Sequence, residues 1–241
     1  MRFTFDMVKS IAVILAGGVG SRMGLDLPKQ FYKVADRTIL EHSVDAFEMN
    51  PDIDSIFIVT NSMYMEQTAE LIEKNNWYKV TKLLQGGKER YDSSLAAIEA
   101  CYEIEDEINL IFHDAVRPLV SQRIISECVR MLKGNSAVGV AVPSVDTILE
   151  VKEGVIASVP DRSLLWRAQT PQGFRLSTIT EAYLRALQDP DFKATDDCGV
   201  VLRYMPETPI YVVRGEESNI KFTYREDIPI VEELFRNRKD R

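Results

Sequence analysis

Short apolar runs rich in β-branched residues recur along the chain at residues 11–15, 55–60, 80–84, 109–113, 137–142 and 210–213. Both faces of these runs are apolar, which is the pattern of parallel strands covered by helices on each side. Between them the period changes. Tyr91, Leu95, Ile98 and Tyr102 repeat at i, i+4, i+7 and i+11, and Ile124, Ile125, Cys128, Val129 and Leu132 form a second helical stripe. Leu40, Val44 and Phe47 form a third, and Val231, Leu234 and Phe235 a last one near the end. These stripes predict core-facing helices. Strands alternating with helices predict an α/β fold, a Rossmann-like, doubly wound and mostly parallel sheet.

One segment breaks the rhythm. From Pro143 to Pro171, two alternating runs, TILEV and VIASV, flank Lys152, Glu153 and Gly154, which predicts a β-hairpin in place of a crossover helix. Such an arm, at about 143–171, either lies on the body or projects to a partner. With no internal repeat or linker, residues 1–241 read as a single domain carrying this arm.

Composition narrows the classes. The 241 residues are 45% apolar and 27% charged, as in an ordinary globular chain. No apolar run approaches the roughly 20 residues that cross a bilayer, so the expectation is no membrane partner. The opening MRFTFDMVKS, with Asp6 before a short apolar run, reads as the approach to a buried strand and not as a secretory signal. Cys101, Cys128 and Cys198 are odd in number and far apart, which suits a reducing cytoplasm and suggests neither disulfides nor zinc. Only His42 and His113 are present, so a His-rich metal site is excluded. A formal charge of −8 argues against nucleic acid. An anionic substrate would have to be met by a few placed cations.

The loop after the first strand, Leu15 to Gln30, reads LAGGVGSRMGLDLPKQ. Gly17, Gly18 and Gly20 let backbone N–H groups approach an anion closely, and phosphate is the natural guest. The Walker pattern fails here, because Lys29 lies between Pro28 and Gln30; the dinucleotide pattern fails at Met23. Instead the loop carries Arg22 and Lys29, with Pro28 stiffening the chain before the lysine. Four further segments, at 86–90, 113–118, 161–162 and 218–221, are expected at the same edge. Asp114, just after a strand, is placed to hold Mg²⁺. His113 reads as structural.

Taken together, LAGGxGxRMG…LPKQF, GGKER, HDAVRP, DR…LWxAQTPQGF and SNIKFT resemble the cytidylyltransferases that activate polyol phosphates, those of methylerythritol 4-phosphate and ribitol 5-phosphate. The resemblance runs over residues 11–227. It implies attack by a substrate phosphate oxygen on the α-phosphorus of CTP, assisted by Mg²⁺, with release of pyrophosphate. No side-chain base is then needed, since a phosphate monoester is already largely dianionic at pH 7, with a second pKa of about 6. Arg22, Lys29 and Lys221 are implied as catalytic cations. Leu15, Ala16, Gly17, Gly18, Gly20, Gly87, Lys88, Arg90 and Ser93 are implied at the nucleotide, and Asp114, Thr147, Arg162 and Lys221 at the polyol phosphate. The arm, with Arg162, is implied to embrace a second copy in a homodimer. Gly17 and Gly18 in LAGG, Thr195 to Cys198 and the GEESNIK segment look more like the ribitol enzymes, so ribitol 5-phosphate is the favoured acceptor; the alternative is 2-C-methyl-D-erythritol 4-phosphate, in isoprenoid precursor synthesis. Against this stand a nucleotide-binding regulator without chemistry, disfavoured by the five retained site residues Arg22, Lys29, Asp114, Arg162 and Lys221, and an NAD-dependent oxidoreductase, disfavoured by Met23.

Overall fold

The computed structural model describes residues 8–18 and 27–239, the last two in backbone only. In chain order its elements are β1 (Ser10–Ala16), β2 (Lys33–Val34), β3 (Arg37–Thr38), α1 (Ile39–Glu48), β4 (Ser55–Thr60), α2 (Met65–Asn75), β5 (Val80–Gln85) and α3 (Arg90–Glu99). There follow β6 (Asn109–Asp114), α4 (Gln122–Leu132), β7 (Ala137–Pro143), β8 (Glu150–Lys152), β9 (Val155–Ser158), β10 (Trp166–Arg175), α5 (Leu176–Ala186), α6 (Asp197–Tyr204), β11 (Tyr211–Arg214) and α7 (Asp227–Lys239).

Among the described residues, seven strands form one sheet in the order β11-β7-β10-β6-β1-β4-β5. All neighbours are parallel except β10, which runs antiparallel to both β6 and β7. Strand alternation sends β1 side chains to opposite sides. Ala12 and Ile14 pack with Leu40, Val44 and Phe47 of α1 and the apolar stripe of α4. Ile11 and Val13 pack with Ala97 and Ile98 of α3, Ile179 and Tyr183 of α5 and Val200 of α6. The sheet is thus doubly wound, as its two-faced apolar strands predict.

Helix starts are chemically marked. Thr38 Oγ1 accepts the Glu41 N–H at 3.1 Å while the Glu41 carboxylate accepts the Thr38 N–H at 2.7 Å, closing a capping box on α1. Glu89 and Asp92 form the same reciprocal pair at α3, which fixes Arg90 as the first residue of that helix.

The structure departs from the sequence reading in three places. The arm is shorter than 143–171, because its last stretch is β10, a central strand of the main sheet. The Tyr102 stripe position fails: α3 ends at Glu99, and Tyr102 is exposed. Only the inner strands are apolar on both faces, since β5 and β11 are edges with exposed positions. The hairpin itself is as expected. Glu153 and Gly154 both have positive φ, 51° and 80°, which suits a tight two-residue turn between β8 and β9.

Candidate active site

The carboxyl ends of β1, β5 and β6 meet at one edge of the sheet. There a cleft of about 300 Å³ is lined by Ala16 to Gly18, Lys29, Gly87 to Arg90, Ser93, Asp114, Val116 and Lys221. This is the crevice position that parallel α/β sheets offer to ligands. Among its lining residues are four cations (Lys29, Lys88, Arg90, Lys221) and two carboxylates (Glu89, Asp114). A chain of net charge −8 therefore has a cationic pocket suited to an anion.

At the glycine end, Gln30 is the organiser. Its Nε2 donates to the Ala16 carbonyl at 2.7 Å and the Gly18 carbonyl at 3.0 Å, so the strand exit is pinned by a buried amide. Lys29 precedes it in a single 3-10 turn whose cap, Pro28, has φ −59°, the value its ring imposes. The lysine is 8% exposed and lines the cleft. Across from it, Gly86 is tied by its N–H to the Thr60 carbonyl at 2.8 Å, and a Cβ there would stand 2.5 Å from Ser93 Oγ, so only glycine lets the loop approach α3 this closely.

At the other end Asp114 is a counter-ion. Its carboxylate meets Lys221 Nζ at 2.8 Å, Arg90 Nε at 3.5 Å and Arg117 Nε at 3.6 Å. Burial raises its proton affinity, but the three cations together outweigh burial and hold the group well below the usual carboxylate range. Arg117 also donates to the Asn219 carbonyl at 2.8 Å and the Ala168 carbonyl at 3.3 Å, which fastens the segment bearing Lys221 to β10. Asp114 does not fit the expected role of Mg²⁺ ligand in this arrangement, because its oxygens already face three positive charges. Among the described residues no group of three or more His, Cys, Asp or Glu side chains could hold an ion.

His113 is structural, as read from sequence. Thr170 Oγ1 accepts the Asp114 N–H at 3.1 Å, which leaves its hydroxyl hydrogen for His113 Nδ1 at 3.0 Å. Nε2 then carries the ring proton and donates it to the Arg117 carbonyl at 3.1 Å. Burial pushes the imidazole pKa down to about 4, so it is neutral near pH 7, and both nitrogens are engaged within the protein.

Of the residues expected at the site, the structure brings together Leu15, Ala16, Gly17, Gly18, Lys29, Gly87, Lys88, Arg90, Ser93, Asp114 and Lys221. Thr147 and Arg162 are not among them. Both are exposed on the arm, where Arg162 Nη1 donates to the Val145 carbonyl at 3.0 Å. The expectation that residues 161–162 share the sheet edge fails within one chain. Gly20 and Arg22 lie outside the described residues. Sequence reasoning left Gln30, Arg117, Thr170, Asp197 and Asn219 unassigned. Gln30, Arg117, Thr170 and Asn219 stood inside the quoted motifs LPKQF, HDAVRP, AQTPQGF and SNIKFT, and Asp197 inside the quoted Thr195 to Cys198 segment, the only signal that could have flagged them.

The family model described as IspD, 2-C-methyl-D-erythritol 4-phosphate cytidylyltransferase, matches residues 10–237. A 2-C-methyl-D-erythritol 4-phosphate cytidylyltransferase from Thermobifida fusca (strain YX) is 50% identical over 230 residues, covering 93% of this chain and 92% of that one. The bifunctional ribulose 5-phosphate reductase/CDP-ribitol pyrophosphorylase Bcs1 of Haemophilus influenzae is 44% identical over 232 residues, 95% of this chain but 49% of that longer one. The crystal structure of 4-diphosphocytidyl-2C-methyl-D-erythritol synthase from Anaerococcus prevotii DSM 20548 superimposes with a TM-score of 0.83 at 28% identity, covering 98% of this chain and 100% of that one. No helix among the described residues is long and apolar enough to cross a membrane.

Proposed function

The chain belongs to the IspD family of cytidylyltransferases, and from that premise we propose that it transfers CMP from CTP to 2-C-methyl-D-erythritol 4-phosphate. The observation that carries this acceptor is the 50% identity to a methylerythritol enzyme over nearly the full length of both chains. Ribitol 5-phosphate, favoured on the motifs, becomes the second reading, supported by the 44% identity to a CDP-ribitol pyrophosphorylase. Val116 adds a local argument, since it presents an apolar side chain to the cleft beside Asp114 and Lys221, where a branch methyl can be buried.

The reaction forms a bond from an acceptor phosphate oxygen to the α-phosphorus and breaks the bond from that phosphorus to the bridging oxygen of pyrophosphate. Its acceptor is already a dianion, so the protein's work is placement and charge neutralisation. Cytidine lies along Ala16 to Gly18, Gly87 and Ser93, where backbone carbonyls can accept the two N4 hydrogens of cytosine. Lys29 and Arg22 meet the charge that builds on the α-phosphate and the leaving pyrophosphate. Lys221 draws the acceptor phosphate in, with Asp114 and the polyol hydroxyls alongside. Magnesium, if it accompanies the triphosphate, supplies further charge neutralisation there. In a competition at equal concentration, read by the CDP-alcohol formed, methylerythritol phosphate should win by well over tenfold in kcat/KM, because a mismatched buried hydroxyl is penalised far more than a methylene. Predominant CDP-ribitol would move the assignment to the second reading.

The arm belongs to this proposal. Strands β8 and β9 are exposed throughout, and Val145, Ile148, Leu149, Val155, Ile156 and Leu164 stand in solvent in a single chain. An isolated two-stranded hairpin is marginal in water, and a patch of this kind marks an interface. The arm packs on a second copy and carries Arg162 and Thr147 to that copy's cleft. Mixing inactive Arg162→Ala chains with inactive Lys29→Ala chains should then restore part of the activity, as one site per heterodimer is whole. A verified heterodimer without rescue would return Arg162 to its own subunit.

A further inference from the structure

We propose that Asp197 is a positioning residue for the acceptor end of the cleft, acting through Arg90 on the Asp114–Lys221 pair; this rests on the reading of that pair as the phosphate-holding end. Asp197, in the first turn of α6, is 0% exposed. A carboxylate fully removed from water is tolerated only when it is paired and hydrogen-bonded. Asp197 is paired through Oδ2 and hydrogen-bonded through Oδ1, while Oδ2 itself has no hydrogen-bond partner among the described residues. Arg90 Nη1 stands 2.7 Å from Oδ2, and Tyr183, from α5 on the same side of the sheet, donates its hydroxyl to Oδ1 at 2.7 Å. The Asp197 N–H is itself held by Gln172 Oε1 of β10 at 3.0 Å, and Gln172 Nε2 reaches Asp196 at 2.7 Å.

The row of charges then alternates. It runs from Asp197 to Arg90, from Arg90 Nε to Asp114 at 3.5 Å, and from Asp114 to Lys221 at 2.8 Å. Three of these four groups line the cleft. The fourth, Asp197, decides how the guanidinium between the two carboxylates divides its attraction. Without its charge, Arg90 has Asp114 as its remaining carboxylate and competes with Lys221 for it. Lys221, whose side chain is 40% exposed, is the easiest of the partners to displace. Arg90 Nη2 is buried with no hydrogen-bond partner, so the guanidinium has a donor left over to drive such a rearrangement.

Asp197→Asn keeps the shape and removes the charge. In this variant KM for methylerythritol phosphate should rise by about tenfold or more, the scale of a charged hydrogen bond, while CTP affinity measured calorimetrically without acceptor, which Arg90 also touches as an expected nucleotide residue, should fall by clearly less than that. Asp197→Glu should recover part of the KM. Tyr183→Phe, which keeps the ion pair and loses one hydrogen bond, should move KM in the same direction by less, and it serves as the measurement if Asp197→Asn does not fold. A merely structural role would instead weaken CTP binding as much as acceptor binding, and that result overturns the proposal, as does an unchanged acceptor KM. Wild-type protein that makes no CDP-alcohol from CTP and the acceptor would remove the functional reading as well. Intact wild-type turnover with an unmoved KM removes this inference alone.

Discussion

Lys29→Ala, folded like the wild type, should lose at least ~10²-fold in kcat, because a preorganised cation aimed at transition-state charge is worth more than the water that would replace it. Its tether supports the magnitude. The lysine sits in a closed turn, with the Phe31 N–H on the Pro28 carbonyl at 2.9 Å and the Tyr32 N–H on the Lys29 carbonyl at 3.1 Å. Gln30, the next residue, pins the β1 exit that lines the same cleft. A side chain on so constrained a backbone pays little ordering cost on binding, which is the condition for an effect on kcat. Far-UV circular dichroism and a melting curve establish the fold, and single-turnover kinetics separate chemistry from binding. Turnover close to wild type in a folded variant would take Lys29 out of the mechanism.

Asp114→Ala should cost about 3 kcal/mol or more of stability at pH 7, besides its effect on acceptor binding, since removing one partner of a buried ion pair leaves the others uncompensated. Asp114 is 7% exposed, and Arg117 behind it is 9% exposed. Burial lowers the proton affinity of that arginine, which says how much the guanidinium depends on its neighbour. The pH dependence follows from linkage. Asp114 has a folded pKa below its ordinary value of 3.8, so its contribution is complete above that value and is lost as pH falls through the folded one. Urea unfolding of wild type and variant should therefore differ most above about pH 4 and converge in stronger acid. Equal urea midpoints at pH 7 would mean the cations are satisfied without Asp114.

The sheet was legible where strands were inner and uniformly apolar. Runs 11–15, 55–60 and 109–113 became β1, β4 and β6, and the exits of β1 and β6 line the cleft. The sequence WRAQTPQGFR was not legible as a central strand, because Pro171 lacks an N–H and argues against one. The structure resolves the conflict with an irregularity in the pairing of β10 with β7 between Ala168 and Gln172, so that Pro171 falls where the ladder is already interrupted. Helix α2 was missed for the opposite reason. It buries only Thr68 fully, so it leaves no strong apolar stripe to read. The cleft was legible from glycines and cations following strands. Asp197 was not, because its role depends on α6 and α3 meeting on one face of the sheet, which spacing does not encode.

The arm leaves the sheet at Pro143 and returns at Trp166, and these two residues are register partners in adjacent antiparallel strands. The Ser144 N–H on the Leu165 carbonyl at 2.9 Å continues the ladder one step outward. In topological terms the arm is therefore an overgrown hairpin loop, its two ends held about one strand spacing, some 4.8 Å, apart whatever lies between. Loop closure costs only about 0.6 kcal/mol per doubling of length, so insertions and deletions here leave the register of β7 and β10 untouched. The arm can thus vary in length and surface without disturbing the edge at which the cleft is built.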